Sequence, residues 1–151
     1  MARWLLVISM AFLLLAGCQQ SPPAAEEPVW GKQNCAHCAM LLSERLHGAQ
    51  ALTASGDRLF FDDTGCLIAW EGEHPGQASH RWVRQFDQDP HGTGWLPAEQ
   101  AAFHRVKHTP MGFGYVAVAH PRAAPSGETA VPWAEVVAAV RKKLQGMQGP
   151  Q

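Results

Sequence analysis

Two thiols, an imidazole and a thioether fall within six residues in the string Asn34-Cys35-Ala36-His37-Cys38-Ala39-Met40. Thiolate and thioether are soft donors that suit Cu(I), whereas methionine is a poor ligand for zinc or any hard cation. Cys38 and Met40 stand two apart, so in an extended segment their side chains point to the same side. Cys35 and Cys38 are close enough for one turn to bring both sulfurs together. A second soft group lies in Thr109-Pro110-Met111-Gly112-Phe113-Gly114, where Met111 is flanked by Pro and Gly, an unusual setting for a core methionine. Among the eight histidines His37 is the best placed candidate, and His108, just before the Met111 loop, is the next. Cys66 sits in the apolar run Cys66 to Trp70, where a packed thiol and a third ligand are both open readings. A plain reading stands beside each methionine, because methionine is a common filler of core gaps.

Other chemistries fit less well. Ala39, not histidine, follows Cys38, so there is no Cys-x-x-Cys-His signal for haem attachment. A thioredoxin-like site wants Cys-x-x-Cys at a helix start after an apolar strand, and here a Pro-rich stretch and Trp30-Gly31-Lys32 precede it. Thr109-Pro110 is the feature that keeps a thiol-disulfide role open. A structural zinc site of Cys35, Cys38, Cys66 and a histidine also remains open. No Gly-rich phosphate loop, metalloprotease helix or nucleophile elbow is present. Asp62-Asp63 reads as the end of a strand and the cap of the next helix. The net charge of −1 gives no electrostatic case for nucleic acid.

The start of the chain bears on where these thiols work. After Arg3, residues 4–16 are apolar apart from Ser9, too short a run for a spanning helix, which needs about 20 residues. This pattern reads as a signal peptide, and Leu15-Ala16-Gly17-Cys18 resembles a bacterial lipobox. The resemblance implies cleavage before Cys18, a diacylglyceryl thioether on its sulfur and acylation of the new amine. Each buried methylene contributes about 0.8 kcal/mol, so several acyl chains anchor stably where one does not. Gln19, in place of Asp, weakly favours the outer membrane over the inner. Residues 1–17 are thus expected to be a signal peptide and 18–29 a flexible tether, Pro-rich with little to bury. An extended chain from Cys18 to Cys35 reaches roughly 55 Å at about 3.3 Å per residue. Removing Cys18 from the count leaves Cys35, Cys38 and Cys66, an odd number, so one disulfide cannot account for all three.

The elements that must position these residues read as an α+β fold over residues 30–146. Ala49 to Thr53, the turn Ser55-Gly56-Asp57 and Arg58 to Phe61 predict a hairpin. Thr64 to Glu71 predicts a helix capped by Asp63 or Thr64. Its apolar run is too continuous for one face, which implies burial. A second unit is expected from strands at Arg81 to Phe86, Ala101 to Lys107 and Tyr115 to His120, with a loop from Gln88 to Gly94 and a connection from Pro121 to Pro132. A final helix follows, with Pro132 at its first turn and Val136, Val137, Val140 and Leu144 on one face. The order suggests two small strand-strand-helix units that share or abut cores.

Together these features resemble the NosL family of copper lipoproteins. The resemblance rests on lipobox Cys18, Cys35-x-x-Cys38-x-Met40 soon after the tether, Phe60-Phe61-Asp62-Asp63-Thr64-Gly65-Cys66 opening the first helix, and Met111-Gly112-Phe113-Gly114 before a strand. It implies a pair of related strand-helix units and a Cu(I)-binding, membrane-tethered chaperone that transforms no substrate. It further implies a copper-accepting exported partner such as nitrous oxide reductase or its assembly machinery, a periplasmic location, and Cys38 and Met40 as copper ligands. Cys35, His37, Met111 and Cys66 are the candidates to complete the site. The family string is commonly Cys-Gly-Met, whereas this chain has Ala39, and alanine resists backbone shapes that glycine allows.

Overall fold

The turn expected at Ser55-Gly56-Asp57 forms because Gly56 can take φ +95° and because Thr53 closes it twice. The Thr53 N–H donates to the Asp57 carbonyl at 2.9 Å, and the Asp57 N–H donates to Thr53 Oγ1 at 2.9 Å. The flanking residues are strands β1 (Ala49–Thr53) and β2 (Arg58–Phe61), antiparallel, with Ala49 opposite Phe61. In this computed structural model, which describes residues 23–87, 94–120 and 128–149, helix α1 (Thr64–Glu73) follows directly. Asp63 is its N-cap, accepting from the Gly65 N–H at 2.7 Å. Thr64 to Trp70 are all buried. The continuous apolar run has this outcome because α1 is packed by β1 and β2, by β6 and by the last helix.

Strand β3 (Ala78–Arg84) pairs antiparallel with the free edge of β1, Ala49 opposite Val83, and β4 (Trp95–Pro97) pairs with β3. The first sheet therefore has the order β2-β1-β3-β4. The strand expected at Arg81 to Phe86 thus starts earlier and belongs to the first unit, since β1 is a central strand with two edges to satisfy. The second sheet, β6-β5-β7, comprises β5 (Ala102–Arg105), β6 (Tyr115–Val118) and β7 (Val131–Pro132). Helix α2 (Trp133–Gln148) completes it. A parallel bridge between Gln85 and Ala117 joins the two sheets. One core runs through both units, containing Phe61, Cys66, Leu67 and Val83 from the first and Phe103, Tyr115, Val136 and Val140 from the second. The α+β class and its two sheet-plus-helix units are as expected.

Part of the expected tether lies against the first sheet. Arg58 donates to the Ala24 carbonyl at 2.9 Å, and the buried Gln50 side chain exchanges two hydrogen bonds with the Glu26 backbone, at 2.9 and 2.8 Å. Glu27 binds the guanidinium of Arg84, which is fully buried and stacks on Trp30 and Trp95 at 5.4 and 3.9 Å. Residues 24–29 are therefore bound to the folded part. The signal peptide, Cys18 and the first part of the tether lie outside the described residues. Among the described residues no helix is long and apolar enough to cross a membrane.

Candidate metal centre

Residues 31–42 make a small excursion beside β2 before the chain enters the sheet. Asn34 and Leu41 form an antiparallel bridge, and the Leu42 N–H donates to the Gln33 carbonyl at 2.9 Å. At the tip, the Cys35 N–H donates to the Met40 carbonyl at 2.7 Å and the Ala39 N–H to the Cys35 carbonyl at 3.0 Å. The Ala36 N–H donates to the Phe60 carbonyl at 2.8 Å, which ties the tip to the outer edge of β2. Cys66 arrives from the other side, in the first turn of α1, because β2 leads into that helix through Asp62 and Asp63 alone.

The result is a cluster in which the sulfurs of Cys35, Cys38 and Cys66 all lie within 4.8 Å of one another. All three are free thiols. Cys35 and Cys66 are buried and Cys38 is half-buried, so the cluster has one member near solvent. The spacing predicted that a turn could join Cys35 and Cys38. Cys66 is the third member, the reading that the sequence left open.

The three thiols differ electrostatically. The Cys66 thiol donates to the Cys35 sulfur, and backbone N–H groups of Cys38, Asp62 and His37 add to it against the opposing effect of burial. These donors bring the Cys35 pKa down to about 5, so it is a thiolate at neutral pH. Cys66, the donor, is pushed far up by that bond and then by burial. Cys38 is pushed up mainly by burial, with the Met40 N–H acting in the opposite sense and the neighbouring Cys35 raising it further. The cluster therefore rests with one negative charge that is met by peptide dipoles.

Asp62 and Asp63 have separate tasks. Asp62 accepts from the Ser43 N–H at 3.1 Å, and its burial pushes its carboxyl pKa up. Asp63 caps α1 and also accepts from Thr109 Oγ1 at 2.6 Å and from the Met111 N–H at 3.1 Å. This carboxylate pins the Met111 loop to the end of α1 that carries Cys66. Gly65 makes the same approach possible, because a Cβ there would lie 2.0 Å from Phe113 Cγ. The cap at Asp63 was expected, but its reach to Thr109 and Met111 has no sequence signal, since those partners are 46 and 48 residues away.

The remaining candidates stand around this cluster in different ways. Met40 lies at the rim, 49% exposed, with its backbone engaged at both Cys35 and Cys38. Met111 is partly buried against the core, its loop held to the start of α1 by Asp63. His37 faces Glu73 at the other end of α1, with Nδ1 3.4 Å from its carboxylate. His108 is strongly exposed and 3.7 Å from Glu44.

No protein-family model and no curated protein matches the chain. Among solved structures, the crystal structure of the copper chaperone NosL from Shewanella denitrificans is similar, with a TM-score of 0.58 over 80% of this chain and 89% of that one. Sequence identity is 17%, so the likeness is one of fold. The resemblance drawn from short cysteine and methionine motifs thus extends to the backbone: this chain has the fold of NosL.

Proposed function

We propose that the chain is a Cu(I)-binding protein that carries copper to an exported acceptor. The observation that carries this reading is the cluster of three sulfurs within 4.8 Å, with Cys38 reaching solvent. Cu(I) accepts two or three soft ligands, and Cys35 already holds the charge that a cation would neutralise. Met40 at the rim adds a thioether where an acceptor would approach, and Met111, partly buried beside the start of α1, is a further candidate. A carrier must exchange ligands with its partner, and Cys38 and Met40 are the positions from which a partner's donors can take over. No bond of a substrate is made or broken in this role. The resemblance to NosL makes nitrous oxide reductase or its assembly machinery the proposed acceptor, and lipid on Cys18 the proposed anchor on the periplasmic side of the outer membrane.

The test is a titration of the reduced protein with Cu(I) against a competing chelator. One ion per chain is expected, and Cys38→Ser combined with Met40→Ala should weaken binding by at least a hundredfold. Unchanged affinity in that double variant would place the site elsewhere.

A thiol-disulfide reductant is the second reading, favoured by the proximity of three thiols. Attack on a partner's disulfide needs an accessible thiolate. Here the accessible thiol, Cys38, has its pKa raised, and the thiolate, Cys35, is buried. That division of properties suits holding an ion better than attacking a disulfide. Zinc held by the same three sulfurs is separated from copper by metal analysis of the purified protein.

A further inference from the structure

Ala39 takes φ +61°, in the left-handed region, and is the one non-glycine residue among the described residues with a positive φ. It sits between Cys38 and Met40. The conformation is imposed from both sides: the Ala39 N–H is bonded to the Cys35 carbonyl, and one residue on, the Met40 carbonyl receives the Cys35 N–H. An L-residue with a Cβ resists this region, and such strain persists only where the surroundings over-determine it. The surroundings are present here. The Asn34–Leu41 bridge lies just outside the turn, and the Ala36 bond to Phe60 fixes it to β2.

We propose that Ala39 is a positioning residue that holds the turn carrying Cys35 and Cys38 under strain, so that this turn opens more readily than a glycine-bearing turn would. Opening breaks the Cys35–Met40 and Ala39–Cys35 bonds and relaxes Ala39. It separates Cys35 from Cys66, which stays in α1. A turn under strain therefore has a preferred way to come apart: the helix-borne sulfur remains in place while the two loop sulfurs leave with Met40. Resting on the copper reading above, this is a release path, with the ion departing on the loop side toward an acceptor. The strain is partly offset by the greater freedom that glycine would regain in the open turn. The net bias toward opening is about fivefold relative to glycine.

The experiment compares the wild-type mature chain with Ala39→Gly and Ala39→Val, reduced and metal-free, by native-state amide exchange. Exchange at Cys35 and Ala39, relative to Ala51 in β1, is expected to slow about fivefold with glycine and to quicken with valine. Alkylation of Cys35 should follow the same order. In the copper-loaded proteins, transfer of Cu(I) to a chelator should slow with glycine by a similar factor. Equal exchange at Cys35 in all three proteins would overturn the inference, and so would slowed exchange with unchanged transfer. Failure of every variant to take up Cu(I) would instead count against the copper reading, since the metal-free exchange reports the strain independently.

Discussion

Thr109→Val tests how the Met111 loop is held. Thr109 is 2% exposed and its hydroxyl is used twice, donating to Asp63 Oδ2 at 2.6 Å and accepting from the Gly114 N–H at 3.1 Å. Valine keeps the side-chain shape and removes both bonds. Loss of a hydrogen bond to a charged group costs about 1.5–3 kcal/mol, and an orphaned buried N–H costs about 1–3 kcal/mol. The added buried methyl returns about 0.8 kcal/mol. A net destabilisation of about 2–5 kcal/mol follows. Urea unfolding of the reduced mature chain would read it as a lower midpoint at unchanged slope. Amide exchange at Gly112, whose N–H donates to the Thr109 carbonyl at 2.9 Å, should quicken along with it. Asp63→Ala should cost more, because the helix cap worth about 1 kcal/mol goes too. The double variant should cost less than the sum, as the two residues share one bond. A loss under about 0.5 kcal/mol for Thr109→Val would refute the claim that Asp63 joins this loop to α1.

Three further outcomes are expected. Gly65→Ala drives a methyl into Phe113 and should destabilise by about 1–3 kcal/mol, with much of the loss recovered in a Gly65→Ala, Phe113→Ala double variant, read by the same unfolding experiment. The Cys35 pKa of about 5 lies below the ordinary 9.0, so between these values the unfolded chain binds the extra proton. Its contribution to stability is complete above about pH 9 and is lost as pH falls through about 5. Thiolate absorbance in the metal-free protein should show one group titrating near pH 5, absent in Cys35→Ser. Glu27→Gln weakens the contact to buried Arg84 and should cost about 2 kcal/mol. Faster proteolysis after Ala24 or Ala25 would accompany it if residues 24–29 are held as described.

What was legible in the sequence is mostly local. The β1–β2 hairpin follows from Ser55-Gly56-Asp57 and its flanks, and the Asp63 cap from an aspartate before an apolar run. Burial of α1 from Thr64 to Trp70 followed from the lack of a polar face between Cys66 and Trp70. The parts that were not legible depend on distant partners. Nothing within residues 78–84 says that they pair with β1 rather than with the second sheet. Strand β4 is three residues ending in Pro97, tolerable because it is an edge strand. The docking of Ala24 to Glu27 depends on Gln50, Arg58 and Arg84, which come from three different strands. At the site, residue types pointed to soft-metal chemistry and spacing joined Cys35 to Cys38. That Cys66 meets them depends on how β2 delivers α1, a fact of three dimensions. The departure of Ala39 from the Cys-Gly-Met string was visible, but its left-handed backbone was not.

X-ray absorption at the copper edge, on the mature chain loaded with one equivalent of Cu(I), tests the central claim most directly. A shell of two or three sulfurs is predicted, losing sulfur in Cys38→Ser. A shell dominated by nitrogen or oxygen, or one unaltered by Cys38→Ser, would contradict copper binding at the Cys35, Cys38 and Cys66 cluster.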